Sequence, residues 1–451
     1  MSRSLGRWLS ETVWGRRTIR IVVLGSANCG KTVFLTALAS HLRHHNPESF
    51  RLNGWEAFWD ESSEKRDARF AAFPFAEYLK GFQKPIPEFP EKTTAEMSLL
   101  RLPLVLKKGK TEHAVTLELA DLPGERVTDL VMARKNYREW CAWMESVFVS
   151  ERASESYRRY LAKAGTAATE AELFAAYKEH LVSELDHFSP WITPSIVKLM
   201  NGSAKGFRTE IAERLLGVDA SSQFVPLPMV AFQPESPLNR FVKAFECGYA
   251  KYRRQIVTPI ADWLSEADEL VYLVDVLGIL KKGVAAYNAE SAFGTDVIGM
   301  FRRRRSSSLF GSVVDFLYDL FTTQIEHAFL AATKADIACG EEGHENMCNL
   351  ANQLFGKSMR NLGVGFETRA CAAVRAVSDS SRARLCGDSV DEAEYSQVVV
   401  PERWPSGGKD WDVGKYWFED VFPRFGGRCD AVLPQLGLDD LVGAILKSYL
   451  S

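Results

Sequence analysis

The chain is short of several features, and each shortage removes a class. Its eight cysteines (Cys29, Cys141, Cys247, Cys339, Cys348, Cys371, Cys386 and Cys429) contain no Cys-x-x-Cys pair. That spacing argues against a zinc site or a disulfide framework and suits free thiols in a reducing cytosol. No stretch approaches the roughly 20 continuous apolar residues that cross a bilayer, and the N-terminal stretch has no apolar signal-peptide core. The expected location is therefore cytoplasmic. Neither sign of charge dominates: 55 Lys and Arg face 58 Asp and Glu, a formal charge of -3. A global attraction to nucleic acid is not expected.

With 46% hydrophobic and 25% charged residues over 451 positions, the composition is that of an ordinary globular protein. The length exceeds one hydrophobic core, so insertions or a second domain are implied. Three local features draw structural readings. Leu5, Trp8, Leu9 and Val13 share one helical face near Arg3 and Arg7, a helix expected to pack on its own domain rather than lie on an anionic membrane. His41, His44 and His45 read as a solvated helix end, with no further metal ligands nearby. Arg302 to Arg305, followed by three serines, reads as a solvated loop.

The most informative stretch begins with the β-branched run Ile19 to Leu24. It meets the turn Gly25-Ser26-Ala27-Asn28-Cys29-Gly30-Lys31-Thr32, after which Phe34, Leu35, Leu38 and Leu42 recur at helical spacing. This is strand, glycine-rich loop and helix in the order a phosphate loop requires. Gly25 and Gly30 permit the dihedrals that turn successive N–H groups inward, and the positive end of the helix reinforces the anion nest. Lys31 is placed to reach β- and γ-phosphates, and the Thr32 hydroxyl to ligate Mg²⁺.

Residues 50–92, aromatic and closing in Pro85, Pro87 and Pro90, read as an inserted subdomain. Ser98 to Leu106 and Ala114 to Asp121 then form a hairpin around Lys108-Gly109-Lys110, and Pro103 assigns the first of these strands to the sheet edge. Asp121-Leu122-Pro123-Gly124-Glu125 follows at the strand end, where ligands of open α/β sheets bind. Asp121 can hold Mg²⁺ through water, and the Gly124 N–H can contact a γ-phosphate.

Residues 130–222 look helical, as does Arg240 to Ile256. Leu270 to Val276 reads as a buried parallel strand, as does Ala328 to Ala332, which ends in Thr333-Lys334-Ala335-Asp336. The last four match the guanine box [NT]-K-x-D. The Asp336 carboxylate can accept from guanine N1–H and N2–H₂ together, a pair adenine does not offer, while the Lys334 stem lies over the purine. Ala370 to Val377 is expected to be the last parallel strand, with Arg375 and Ala376 near its end, where a backbone N–H meets guanine O6. Leu438 to Leu450 closes the chain as a helix.

Beyond these boxes, the segments at 121–132, 252–283 and 329–336 and the C-terminal Trp-Pro and Phe-Pro-Arg-Phe stretches resemble the YcjX-like family of bacterial P-loop NTPases. The resemblance covers most of the chain. It implies a Ras/Gα-like P-loop GTPase domain with a mostly parallel sheet, one antiparallel edge strand and helical insertions, binding GTP or GDP with Mg²⁺. It also implies a bacterial cytoplasmic protein that works near the inner membrane under stress. Carried over by position, Gly25, Ser26, Ala27, Asn28, Cys29, Gly30, Lys31, Thr32 and Val33 fall in the phosphate loop. Thr94, with Thr93 as its rival, falls in the switch segment and the metal shell. Asp121 and Gly124 fall in the metal and γ-phosphate box, Lys334 and Asp336 in the guanine box.

Glu125 stands where Ras-like enzymes carry a water-orienting glutamine, and its charge near the γ-phosphate costs transition-state stabilisation. Arg69, Lys92 and Arg101 are the candidates for a cationic finger. The organisation this implies is an N-terminal helix and first part of the GTPase domain at 1–48, an inserted subdomain at 49–92, and the domain continued at 93–136. A helical insertion follows at 137–261, the domain with its guanine box at 262–378, an irregular insertion at 379–435 and a closing helix at 436–451. The expected activity is slow Mg²⁺-dependent GTP hydrolysis that repositions the insertions, with Lys31, Thr94 and Glu125 at the chemistry. The alternatives are an ATPase and a non-catalytic nucleotide-bound scaffold that meets a protein partner or a membrane through its helical insertions.

Overall fold

The computed structural model describes residues 16–25, 29–45, 50–63, 70–84, 88, 97–122, 132–133, 135–148, 154–184, 224–299, 301, 325–338, 340–376, 404–412, 416, 418 and 433–450. The chain divides into two compact units, the first made of 1–122, 266–306 and 322–451, the second of 123–265 and 307–321. Along the first part of unit 1 run β1 (Arg16–Gly25), α1 (Lys31–His44), β2 (Glu56–Trp59), β3 (Ala71–Ala72), α2 (Phe75–Phe82), β4 (Ser98–Lys108) and β5 (Thr111–Asp121). Unit 2 contributes α3 (Tyr137–Phe148), α4 (Ser154–Thr166), α5 (Glu170–Glu184), α6 (Asn239–Tyr252), a π-helical turn at Arg253–Val257 and α7 (Thr258–Ser265). Unit 1 resumes with β6 (Glu269–Val274), α8 (Val276–Lys282), α9 (Val284–Gly299), β7 (His327–Ala332), α10 (Gly340–Asn361), β8 (Gly365–Ala370) and α11 (Leu438–Lys447).

Unit 1 is a mixed α/β layer built on one sheet of order β2-β4-β5-β1-β6-β7-β8, with β3 beside β4. The runs β5, β1, β6, β7 and β8 are mutually parallel, so the ends of β1, β5, β6 and β7 open on the same side. Alternate residues serve the two faces, as the two-residue period of a strand requires. Val271, Leu273, Phe329 and Ala331 join the core beneath α1, α2 and α11 with Phe34, Leu38, Leu441 and Ile445. On the opposite face Tyr272 meets Phe355 of α10, ring centroids 4.9 Å apart. Covering both faces explains why β6 is buried at all six positions.

The antiparallel strand differs from its expected place. β4 is not the sheet edge: β5 pairs with it along its whole length, and β2 pairs antiparallel with Leu104–Lys107 on the outer side. Pro103 stands where β2 peels away, its carbonyl accepting from the Asp60 N–H at 2.9 Å. Its nitrogen faces that same outer side, so the missing donor falls just beyond the last pair, Trp59 with Leu104.

Three further expectations are corrected. β6 stops at Val274, and Asp275 caps α8 rather than continuing the strand. The last parallel strand is Gly365–Ala370, so Arg375 and Ala376 lie in the loop after it. β8 is an edge strand of mixed polarity, and the run that follows it is a loop that buries Cys371, Ala372 and Ala376 and leaves Ala373, Val374 and Arg375 half-buried. His41 is not solvated: it is 1% exposed and stacked on Phe50 with centroids 4.8 Å apart. Burial lowers its pKa to about 4. His45 stacks on Phe58 at 4.2 Å. The helix at 3–14 and the arginines at 302–305 lie outside the described residues.

Unit 2 is helical around an aromatic core that includes Tyr137, Trp140, Tyr160, Tyr177, Phe224, Tyr249 and Tyr252. Three of these phenols donate to main-chain carbonyls, the usual way a buried tyrosine is satisfied. Tyr137 donates to Val225 at 2.6 Å, Tyr160 to Pro226 at 2.7 Å and Tyr249 to Lys135 at 2.9 Å. No helix among the described residues is long and apolar enough to cross a membrane.

Candidate functional site

The candidate site is built at the carboxyl ends of β1, β5, β6 and β7. Gly25 ends β1 at φ +154, and a Cβ there would lie 2.3 Å from the Leu273 carbonyl oxygen and 2.5 Å from Cys29 Sγ. Only a residue without a side chain lets β1 and β6 stay this close as the chain turns. Gly30 stands in the left-handed region at φ +92 and caps the 14-residue α1, its carbonyl accepting from Phe34 N–H at 2.8 Å. Lys31, Thr32 and Val33 form the first turn, which has no acidic side chain to compete for an anion. Lys31 Nζ donates to the Gly25 carbonyl at 2.7 Å, folding the ammonium back across the loop. Cys29 Sγ lies 3.9 Å from that nitrogen, and burial nonetheless raises the thiol pKa above its ordinary value, so Cys29 stays protonated.

Asp121 is the last residue of β5, 1% exposed and paired in register with Val23, two residues before Gly25. A carboxylate at this strand end and the Thr32 hydroxyl are both hard oxygen donors, the set Mg²⁺ prefers when phosphate oxygens and water complete its shell. Among the described residues no group of three or more His, Cys, Asp or Glu is placed to hold a metal ion by itself.

The segment after β7 is tied to both neighbours. Thr333 N–H donates to the Val274 carbonyl at 2.9 Å, and its hydroxyl lies 3.0 Å from the Cys29 carbonyl and 3.2 Å from that of Val274. Lys334 follows at φ +60, and its ammonium donates to Asp275 Oδ2 at 2.5 Å. Ala335 N–H donates to the Cys371 carbonyl at 3.2 Å. Asp336 is 6% exposed, and its Oδ2 accepts the Ala376 N–H at 2.7 Å. The loop bearing Ala376 is pinned in turn, with Ala372 bridged to Leu436 and Arg375 N–H donating to Pro434 at 2.6 Å.

Gly25, Cys29, Gly30 and Thr333 therefore stand together, and Lys334, Asp336, Arg375 and Ala376 share one loop cluster. Ser26, Ala27, Asn28, Thr93, Thr94, Gly124 and Glu125 lie outside the described residues, as do Arg69 and Lys92. Arg101 is paired with Glu118 at 3.1 Å on the sheet, where Glu118 also takes Arg20 Nε at 2.9 Å. Two participants escaped the sequence reading. The tether made by the Thr333 hydroxyl spans 304 residues, and no local pattern shows that. Asp275 carried a signal, an acid interrupting an otherwise apolar run.

A sequence model of the YcjX-like family matches residues 19–450, nearly the whole chain. The chain belongs to the YcjX-like family. Two curated proteins similar to it carry the name Ras-like GTPase YcjX. One, from Escherichia coli (strain K12), is 26% identical over 94% of this chain and 94% of its own length. The other, from Shewanella oneidensis, is 24% identical over 80% of this chain and 77% of its own length. For the YcjX-like chain described here, the family match spans both the loop at Gly25–Thr32 and the cluster at Thr333–Asp336.

Proposed function

We propose that this protein binds GTP and GDP at the ends of β1, β5, β6 and β7 and hydrolyses GTP slowly, using the γ-phosphate contact as a conformational switch. The observation that carries the reading is the tether from Thr333 to the Cys29 carbonyl at 3.0 Å. It holds a phosphate-type loop and a guanine-box segment at one site, and nucleotide selection needs both. The names of the two similar proteins support the same reading.

In this reading Lys31 and the main-chain amides at the start of α1 hold the β- and γ-phosphates, the helix dipole adding to the attraction. Thr32 and Asp121 would hold Mg²⁺, with Thr94 joining them when the triphosphate is bound, and the ion would supply neutralisation of the charge developing on the phosphate oxygens. Glu125 orients water, and Gly124 senses the γ-phosphate. Asp336 selects the purine edge, and the Ala376 amide, with Arg375 beside it, supplies the O6 donor. In the structure Asp336 and Ala376 satisfy each other, so the base enters by exchanging one hydrogen bond for several. The proposal extends to a protein partner met through the helical unit and, as the family resemblance implies, to a contact at the inner membrane.

Competition tests the purine claim: excess ATP is expected to leave labelled GTP bound, and equal displacement would make this an ATPase. Single-turnover phosphate release with Mg²⁺ tests the chemistry. Release is expected above the uncatalysed rate but below about 0.1 per second without a partner-supplied cation. No release with nucleotide bound would make the protein a scaffold.

A further inference from the structure

Asp275 follows β6 and joins two pieces of structure through its two oxygens. Oδ1 accepts the Gly278 N–H at 2.9 Å, capping α8 in the way an aspartate at a helix start does. Oδ2 accepts the Lys334 ammonium at 2.5 Å. The carboxylate is well covered, its side chain 15% exposed against 44% for Lys334, so the acid is the fixed partner and the lysine the held one. Gly278 is part of the arrangement: a Cβ there would lie 2.6 Å from Oδ2 and 2.8 Å from Cγ. Any larger residue would push the carboxylate from the position that serves both partners.

Lys334 itself stands at φ +60, a left-handed conformation that lysine rarely adopts. Its neighbours fix the backbone there, with Thr333 N–H on Val274 and Ala335 N–H on Cys371. The ion pair then fixes the side chain. Asp275 also lies near the phosphate loop, since its charge adds to the burial that raises the Cys29 thiol. One carboxylate thus stands beside the loop, the helix that follows β6 and the lysine before Asp336.

We propose that Asp275 is a positioning residue for the purine: by anchoring the Lys334 ammonium at the start of α8, it lays the lysine stem along the face of the base whose edge Asp336 reads. The proposal rests on the nucleotide reading above and adds a division of labour. Contact with the face of the ring is blind to the groups on its edge, so Asp275 sets affinity for any purine diphosphate, whereas Asp336 sets the choice among them.

The test uses the full chain with Mg²⁺ and equilibrium binding of fluorescently labelled GDP, competed by unlabelled GDP and by IDP, which lacks the 2-amino group. Asp275→Asn keeps an oxygen to cap α8 and loses the charge; Lys334→Met keeps the stem and loses the ammonium. Each is expected to weaken GDP and IDP by the same factor, roughly tenfold, with the double variant no weaker than either single. Thermal midpoints of Asp275→Asn and the native chain should agree, showing that the helix cap survives. Gly278→Ala, which displaces the carboxylate without removing it, should reproduce the loss and supplies the comparison if Asp275→Asn does not fold. Native affinity in Asp275→Asn, losses that multiply to about a hundredfold in the double variant, or a shift in the GDP-to-IDP ratio would overturn the proposal. A native chain that retains neither GDP nor IDP would instead remove the nucleotide reading, and this inference with it.

Discussion

The Asp336 carboxylate accepts the main-chain N–H of Ala376 at 2.7 Å across 40 residues of sequence. Each group is the other's partner, and both are buried. A buried carboxylate and a buried amide are costly to leave unsatisfied, so this contact holds the loop after β8 against the segment after β7. Under the nucleotide reading, the two groups that would read a guanine edge are assembled before the base arrives.

The loop's first residue offers the bluntest test. Gly25→Ala places a methyl 2.3 Å from the Leu273 carbonyl, and the backbone of β6 cannot yield cheaply because β1 and β7 hold it on both sides. The variant should lose about 3 kcal/mol of stability or more and fail to retain nucleotide, measured by urea unfolding and by nucleotide content after desalting. Native stability and native nucleotide content would show that the close approach has no role.

Thr333→Val removes one hydroxyl and keeps the shape. Its proton serves the Cys29 and Val274 carbonyls, so about 1 to 2 kcal/mol of stability should be lost. Nucleotide affinity should fall as well, because the phosphate loop is no longer tied to the segment bearing Lys334 and Asp336. Denaturant midpoints and GDP titration measure the two effects separately. A stability loss with unchanged affinity would make the tether purely structural.

Glu269 opens β6 at the opposite end of the sheet. It is fully buried, taking a hydrogen bond from Tyr449 at 2.5 Å with His327 Nδ1 at 3.3 Å. Burial raises its pKa to about 8, the Tyr449 hydrogen bond partly opposing. The folded chain therefore holds a proton that the unfolded chain releases near the ordinary carboxylate value of about 4.3. Stability from this group is fully present below that value, falls as pH rises towards about 8 and changes no further above it. Glu269→Gln should flatten this decline and be more stable than the native chain at pH near 8, by an amount on the order of a few kcal/mol. Urea unfolding across that range measures it, and parallel curves for the two proteins would refute the assignment. His41, lowered to about 4 by burial, acts in the other direction: its contribution is present above about 6.5 and is lost as pH falls towards about 4.

The parts of the fold legible in sequence were those with local periodicity. The apolar runs of β1, β6 and β7, the hairpin at Gly109 and the helix at Leu438 each announce themselves within a dozen residues. β2 and β3 are too short to carry a pattern, and β8, as an edge strand, mixes exposed and half-buried positions in Gly-Phe-Glu-Thr-Arg-Ala. At the candidate site, the turn at Gly25–Thr32 and the strand end at Thr333–Asp336 were visible as motifs, because glycines at that spacing and a Thr-Lys-x-Asp run after an apolar strand are local patterns. The Thr333 hydroxyl tether and the Asp336 contact were not visible, and Asp275 showed only as an acid in an apolar run, since the partners of each are brought together by strand order. His41 looked like surface because its two histidine neighbours are polar, yet stacking on Phe50 buries it.

The central claim is that Asp336 chooses a guanine base, and Asp336→Asn tests it most directly. The amide oxygen can still accept the Ala376 N–H, so the loop is kept, while the group that accepts from N1–H and N2–H₂ becomes one that complements the 2-oxo edge of xanthine. Paired titrations of native and variant chain with GDP and xanthosine diphosphate should show preference reversing, with GDP weakened at least about a hundredfold. A variant that binds GDP as the native chain does, and still refuses xanthosine diphosphate, would contradict the account.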